Sequence, residues 1–352
     1  MATSLLPWSD KALALLCRMN NFHLPGSSLV RCRRFVIEGQ QVGWVPPVVA
    51  SKLTRFPEVF TSSGSGEAGA VALCPALDSY RKRSEAVNTV LQQLREEDTF
   101  SCLRGWRDEV TLIGAMVGTH DGTEKVCARA RARAPHRSLL KRRSFVRLFA
   151  CLFVLQKYEV MPRFCDQSLM CMERAATSLF GVKRYGVHVN GYRQEEDGTV
   201  TMWLSRRSRT KQTYPGTLDN LVAGGLAAGT SLQETLIKEC EEEACIPACI
   251  AETACPVGTV SYTYEDEDGV FPESQFVFDL KLPLEFRPQI GDGEVQDFYL
   301  WPLDQVKEVL VSEDFKPNSA MVVLDFLIRH SYVHPDAEPY YQEFVTGLHK
   351  SL

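Results

Sequence analysis

The short run KECEEE at 238–243 contains one ammonium group, Lys238, and four carboxylates, of which three are at Glu239, Glu242 and Glu243. Positions i, i+3 and i+4 share one face of a helix, so a helix here brings the three carboxylates together. Like charges at this spacing repel, and the arrangement becomes favourable when a hard divalent cation binds the carboxylate oxygens. The run therefore predicts a metal site, and a solvated acidic helix face is the alternative that the residue types leave open.

Glycines precede this run at Gly224, Gly225 and Gly229. They let the backbone turn sharply into the helix, whose first free amide groups favour an anionic ligand. A carboxylate-bound metal beside such a helix start suits metal-assisted attack on a diphosphate. Basic residues that could hold the phosphates lie upstream, although they could equally form a solvated strand end: Arg206, Arg207, Arg209 and Lys211.

Further candidates lie outside the acidic run. Glu294 is on a predicted loop before a strand at 297–301, and we predict that it is an additional metal ligand or a general base. A plain surface acid is the alternative for this residue. Structural roles are predicted for His188, within an alternating strand pattern, and for His330.

Hydrophobic periodicity predicts the elements that position these residues. In the C-terminal half we expect strands at 186–192, 200–206, 256–264, 275–280 and 297–301, a glycine-rich loop at 222–229, and helices at 231–244, 303–311 and 318–330. The N-terminal half predicts two strands joined by a turn within 34–45, and helices within 46–60, 84–97 and 169–179. A mixed sheet flanked by helices, an α/β fold of the α+β type, accommodates this order.

The whole chain has 352 residues and a formal net charge of −5. Its length allows two domains. An acidic total argues against a nucleic-acid binder, and no apolar run is long enough to span a bilayer. The first twenty residues lack the layout of a signal peptide, so we expect a cytoplasmic protein, with mitochondria as the alternative.

The stretch 110–157 differs from the rest of the chain. It holds ten Lys or Arg and only two acidic residues, and it contains an Ala-Arg repeat at 128–134. Low complexity of this kind cannot build a core, so we interpret the stretch as an insert that belongs to neither domain. A genuine insertion and a translated intron both remain open, as does an RNA-binding arm.

The segment 224–246 resembles the Nudix box, G-x5-E-x7-R-E-U-x-E-E-x-G-U, in which U is apolar. Its E-U-x-E-E core falls on 239–243, whereas Thr230, Lys238 and Cys245 depart from the pattern. The wider chain resembles the Nudix branch related to thiamine pyrophosphokinase, except at 110–157. The runs that carry this likeness are RRSRTKQTYPGTLDNLVAGGLAAG, GVHVNGY, FVIEGQQVGWV, GWRDE, YEVMPRF, MERAA, GDGEV and FKPNSAMVVLDFLIRH.

This resemblance implies a Nudix α/β/α sandwich with a mixed sheet, preceded by a smaller α/β N-terminal domain. We expect the N-terminal domain at 1–109, a connecting helix that completes it at 158–184, the Nudix domain at 185–335 and a helical tail at 336–352. The implied activity converts damaged oxo- or oxy-thiamine diphosphates to monophosphates. The resemblance further implies that the protein binds a small-molecule diphosphate substrate and neither nucleic acid nor a membrane. It implies a monomer or a homodimer.

The resemblance also implies site roles. Glu239, Glu242 and Glu243 would bind Mg²⁺ or Mn²⁺, and a backbone carbonyl near Gly224 would complete the shell. Glu242, Lys238 and Glu294 would be catalytic. The alternatives are hydrolysis of oxidised nucleoside diphosphates such as 8-oxo-dGDP and a catalytically weakened ligand-binding protein. Diphosphate isomerisation is disfavoured because 220–222, after the Pro-Gly pair, contains no thiol.

Overall fold

A computed structural model describes residues 6–106 and 157–352 in full, together with the backbone of 111–112 and 153–154. The basic stretch predicted as an insert at 110–157 therefore lies almost wholly outside the described residues. In the described part of the chain, no helix is both long enough and apolar enough to cross a membrane.

The N-terminal half contains a four-stranded sheet in the order β2-β1-β4-β3. Its elements are α1 (Trp8–Met19), β1 (Arg33–Ile37), β2 (Gln40–Val45), α2 (Pro47–Leu53), β3 (Phe60–Ser63), β4 (Ala70–Leu73) and α3 (Tyr80–Glu96). The predicted hairpin within 34–45 is confirmed, and its turn uses Glu38 and Gly39 at positive φ. Helix α3 begins earlier than predicted because the Ser79 side chain caps it by accepting from the Lys82 amide.

The helix predicted at 169–179 is wrong in its first part. After the short strands β5 (Thr111–Leu112) and β6 (Phe153–Val154), strand β7 (Lys157–Val160) pairs antiparallel with β8 (Met170–Glu173), and a 3₁₀ helix follows at Arg174–Phe180. Met170 and Met172 are both buried in the N-terminal core. This two-residue periodicity is that of a strand packed on α3, and it outweighs the helical spacing of the later apolar residues.

The C-terminal half is built on a seven-stranded mixed sheet. Its elements are β9 (Arg184–Gln194), β10 (Val200–Arg207), β11 (Leu218–Asn220), β12 (Val222–Gly225), α4 (Leu232–Ala244), α5 (Ala248–Ala251), β13 (Cys255–Asp266), β14 (Gly269–Lys281), β15 (Val295–Pro302), α6 (Leu303–Leu310), α7 (Pro317–Arg329) and α8 (Tyr341–Gly347). Strands β9 and β14 are parallel, and the other pairs are antiparallel. The predicted α/β class, with a mixed sheet, is confirmed.

Helices cover both faces of this sheet. Leu236 and Cys240 of α4 share a core with Val187 and Val189 of β9. On the other face, α6 and α7 pack over β10, β13 and β14, and the first helix, α1, joins the same core. The predicted boundary at residue 109 stays a prediction, although α1 packs with the C-terminal half.

The predicted loop at 222–229 is wrong in its first half, since 222–225 form β12. This strand pairs with β9 at 186–189, whereas β10 pairs with β9 only at 191–194. Strand β9 therefore changes partners along its length, and among the described strands β12 pairs only with β9, which leaves β12 a free edge. The chain leaves that edge directly into α4.

Candidate active site

Local sequence fixes the orientation of α4. Ser231 caps its start in a reciprocal pair, since the Ser231 hydroxyl accepts from the Glu234 amide and the Glu234 carboxylate accepts from the Ser231 amide. The helix ends at Cys245, which adopts a left-handed conformation with φ of 52° at the position where the Nudix pattern has glycine. With Leu236 and Cys240 buried against β9, the acidic side of α4 faces the edge of β12.

Glu243 binds that edge directly. Its carboxylate accepts a hydrogen bond of 3.0 Å from the backbone amide of Ala223, and the residue is 6% exposed. Burial, followed by the charge of Glu239, raises the pKa of Glu243 well above its ordinary value. Because the N–H and C=O of one strand residue point to the same side, the Ala223 carbonyl also faces this edge.

Glu239 packs against the next strand residue, Gly224. A Cβ at Gly224 would lie 2.3 Å from Glu239 Cγ, so only glycine leaves room for this carboxylate. Lys238 Nζ donates to Glu239 and to Glu242, both at 2.9 Å. Burial raises the pKa of Glu239, against the opposing effect of Lys238.

Glu294 approaches the same carboxylates from the loop before β15. Its charge contributes to the raised pKa values of Glu239 and Glu243, after burial and their nearer neighbours. Lys211 Nζ donates to the Glu294 carboxylate. The loop itself rests on α4, because a Cβ at Gly291 would lie 2.0 Å from the carbonyl oxygen of Glu242. The structure thus brings Glu239, Glu242, Glu243, Glu294 and Lys211 to one cleft.

Two of the three predicted phosphate-binding arginines form ion pairs with carboxylates of the protein. Arg207 is 8% exposed and donates to Asp219 at 2.8 Å, and also to backbone carbonyls of the following loop. Arg206 donates to Asp314 at 2.6 Å and to the carbonyl of Gly216. Arg207 uses all three of its side-chain nitrogens in these bonds, and Arg206 uses one. The two arginines therefore hold the loop after β10 in place.

A lysine that the sequence did not indicate also faces the site. Lys316, immediately before α7, donates to Asp219 at 3.0 Å, and burial lowers its pKa despite that partner. The negative charge of Glu243 raises the pKa of Lys316, so the two side chains are close enough to interact electrostatically. Asp219 has a pKa well below its ordinary value because Lys316 and Arg207 outweigh the effect of burial. The only feature of the sequence that could have indicated Lys316 is its position as a basic residue at the start of the largely apolar helix α7.

The carboxylates fit a hard cation by chemistry. Among residues 6–106 and 157–352, no three Asp, Glu, His or Cys side chains converge in the geometry of metal ligands, and the ammonium of Lys238 bridges Glu239 and Glu242. Burial and mutual repulsion raise the pKa values of Glu239 and Glu243, and a divalent cation relieves that repulsion. The donors therefore suit Mg²⁺ or Mn²⁺.

The predicted structural roles of the two histidines are confirmed. His188 Nδ1 lies 2.8 Å from Asn220 Oδ1, and Asn220 donates to Asn190, which donates to Asp279. His330 Nε2 lies 2.9 Å from the same Asp279 carboxylate. These contacts form a polar network on the face of the sheet opposite α4, buried at His188, Asn190, Asn220 and Asp279 and exposed at His330.

Burial of His188 predicts a pH-dependent stability. Burial, then the charge of Lys316, lowers its pKa from 6.5 to about 4. Between pH 6.5 and 4 the unfolded chain binds this proton and the folded chain does not, so the free energy of unfolding falls by about 3 kcal/mol as pH is lowered through this window. Urea unfolding at pH 7 and pH 4 measures this loss. Comparison with His188→Gln removes contributions from other groups, and equal losses in both proteins would contradict the assignment.

Family models match both halves of the chain. A model described as NUDIX domain matches residues 184–322, and one described as Domain of unknown function (DUF4743) matches 11–119 and 142–184. Nudix hydrolase 20, chloroplastic, of Arabidopsis thaliana is 34% identical over 96% of this chain and 82% of its own length. Nudix hydrolase 24, chloroplastic, of the same plant is 36% identical over 87% of this chain and 70% of its own length.

Among solved structures, a Nudix domain of Shewanella oneidensis in complex with ADP-ribose is similar to 43% of this chain. The match covers 90% of that domain, with 15% identity and a TM-score of 0.34.

Proposed function

The chain belongs to the Nudix hydrolase family, and we propose that this pyrophosphohydrolase converts damaged thiamine diphosphates to monophosphates. The observation that carries the hydrolytic part is the meeting of four carboxylates and Lys211 at the free edge of β12. Such a cleft combines oxygen ligands for a cation with a charge that can contact phosphate. Nudix hydrolases generally use divalent metal ions, and we propose Mg²⁺ or Mn²⁺ here.

Each residue of the cleft then has a role. Glu239, Glu242 and Glu243, with the Ala223 carbonyl, would hold the metal, which supplies an activated water and charge neutralisation when bound. Glu242 accepts a proton from the water that attacks the terminal phosphorus. The bond from that phosphorus to the bridging oxygen breaks, and the bridging oxygen leaves with the monophosphate.

The remaining cleft residues position this reaction. Lys238 orients the carboxylates of Glu239 and Glu242, to which it donates. Glu294 offers a further oxygen ligand or an alternative base, and Lys211, which donates to it, is a predicted contact for phosphate. Arg206 and Arg207 act indirectly in this proposal, through the loop that carries Lys211.

The choice of thiamine diphosphates rests on the resemblance to the branch related to thiamine pyrophosphokinase, carried by the runs at 186–192 and 206–229. The presence of a second matched domain beside the Nudix domain supports this choice of branch. A cytoplasmic location and a monomeric or homodimeric state remain predictions, and both plant relatives are named chloroplastic.

A substrate panel tests the proposal. The full chain with Mg²⁺ is assayed by chromatography for monophosphate products from oxythiamine diphosphate, thiamine diphosphate, 8-oxo-dGDP and ADP-ribose at equal concentrations. We expect the highest kcat/KM on oxythiamine diphosphate. A preference for 8-oxo-dGDP would replace the substrate class and leave the hydrolytic cleft intact.

A further inference from the structure

Two glycines face each other on paired strands close to the cleft. Gly186 of β9 lies directly opposite Gly225 of β12. A Cβ at Gly186 would lie 2.4 Å from Gln275 Oε1, and a Cβ at Gly225 would lie 2.0 Å from Tyr158 Oη. Opposite Cβ positions in an antiparallel pair are about 4.5–5.5 Å apart. The two oxygen atoms therefore face one small volume, on the sheet face away from α4.

The amide of Gln275 is held in one orientation. Its Nε2 donates to Tyr262 Oη at 2.9 Å and to Glu273 at 2.8 Å, while the Tyr262 hydroxyl gives its own proton to Glu273. The Glu273 carboxylate pairs with Arg184, which lowers the pKa of Glu273 and keeps this carboxylate ionised. A flipped Gln275 amide would place Oε1 against that negative charge. Gln275 can therefore present only an acceptor to the volume above Gly186.

Neither oxygen has a protein partner. Gln275 is 5% exposed and Tyr158 is 8% exposed, yet no described residue hydrogen-bonds Gln275 Oε1 or Tyr158 Oη. Neither oxygen is among the fully enclosed unpaired side-chain atoms of the described residues, so both are accessible to a small molecule. A ligand that brings a hydrogen-bond donor to Gln275 and an acceptor to Tyr158 would pair both atoms.

The position of the two oxygens connects them to the reaction. Gly225 follows Gly224, which contacts Glu239, and the Ala228 amide donates to the carbonyl of Lys157 at 2.8 Å. Strand β7 of the N-terminal half is thus fixed to the loop that leads into α4.

We propose that Tyr158 and Gln275 form a ring subsite for the heteroaromatic group of the diphosphate substrate. The group it selects carries a ring N–H for Gln275 Oε1 beside a carbonyl oxygen or ring nitrogen that accepts from the Tyr158 hydroxyl. This inference rests on the proposed diphosphate hydrolysis and deepens it. A ring whose edge carries an N–H beside a carbonyl oxygen is a lactam, so the subsite selects diphosphates that carry a lactam ring. It also gives the N-terminal half a direct part in specificity, through Tyr158.

Two variants test the subsite without removing large groups. Tyr158→Phe deletes one hydroxyl, and Gln275→Met keeps the length of the side chain. Tyr185→Phe is the matched control, because Tyr185 lies in an aromatic cluster with Phe164 and Phe276 on the opposite face of β9. We expect kcat/KM for oxythiamine diphosphate to fall about tenfold in each test variant, with no change in the control.

A ring-free substrate separates recognition from catalysis. On methyl diphosphate, all three variants should match the wild type. Equal losses on methyl diphosphate and oxythiamine diphosphate would overturn the subsite, as would unchanged values on both.

Binding measurements keep the subsite testable if no phosphate is released. Calorimetry with oxythiamine diphosphate in EDTA should show affinity for the wild-type full chain that is about tenfold weaker in Tyr158→Phe and Gln275→Met. That result supports the subsite even when the hydrolytic proposal fails. Absence of binding to the wild type, or equal affinity in all proteins, would overturn the subsite, and phosphate release by the wild type would then leave the hydrolytic proposal standing.

Discussion

Replacement of Glu242 by Gln is expected to lower the kcat of diphosphate hydrolysis about a thousandfold, as loss of a general base with a metal-binding role usually does. The amide keeps the size of the side chain but cannot accept the proton of the attacking water. It also removes a negative charge beside Lys238, which then pairs with Glu239 alone. Steady-state phosphate release with saturating Mg²⁺ measures the effect.

Glu241→Gln is the matched control for this substitution. Glu241 lies one residue earlier in α4 and is exposed, on a side of the helix that does not face β12. We expect less than a twofold change in kcat for Glu241→Gln. Comparable losses in the two variants would indicate that helix stability or net charge, and not the position of the carboxylate, determines the rate.

The second large effect is expected on stability, from Asp219→Asn. Asp219 is 3% exposed and pairs with both Arg207 and Lys316. Loss of its charge leaves two buried cations without a counter-ion, and breaking such a buried pair costs about 3–5 kcal/mol. Urea unfolding at pH 7 should show this loss in the free energy of unfolding.

Asp314→Asn provides the comparison, because Asp314 pairs with Arg206 at a position where its side chain is 52% exposed. Exposed pairs contribute about 0–1 kcal/mol, so we expect a change within that range. If both substitutions destabilise the protein equally, the burial of the Asp219 pair has no energetic consequence, and the role given to it is wrong.

Local patterns predicted much of the structure around the cleft. The helical spacing of Leu236 and Cys240 predicted α4, and alternation along 186–192 predicted the centre of β9. These signals succeed because burial on one face imposes a fixed period on each element. The prediction for 170–173 was wrong because a strand of four residues is too short to show its two-residue period. The helical spacing of the residues that follow dominated the pattern.

Other features depend on contacts between distant parts of the chain. Arg207 and Lys316 meet at Asp219, although they lie 109 residues apart in the printed numbering, and no local pattern relates them. The basic run 206–211 therefore suggested phosphate binding for side chains that the fold uses internally. Tyr158 and Gln275 are likewise brought together by the pairing of β9 with both β12 and β14.

The central claim is that the carboxylate cleft at the edge of β12 hydrolyses diphosphates with a divalent metal ion. The most direct measurement follows inorganic phosphate and monophosphate from oxythiamine diphosphate with the purified full chain, after EDTA treatment and after addition of Mg²⁺ or Mn²⁺. The account predicts equimolar products, loss of activity in EDTA and recovery with either metal. Product formation that is unaffected by EDTA, or no product from any member of the substrate panel at saturating Mg²⁺, would contradict it.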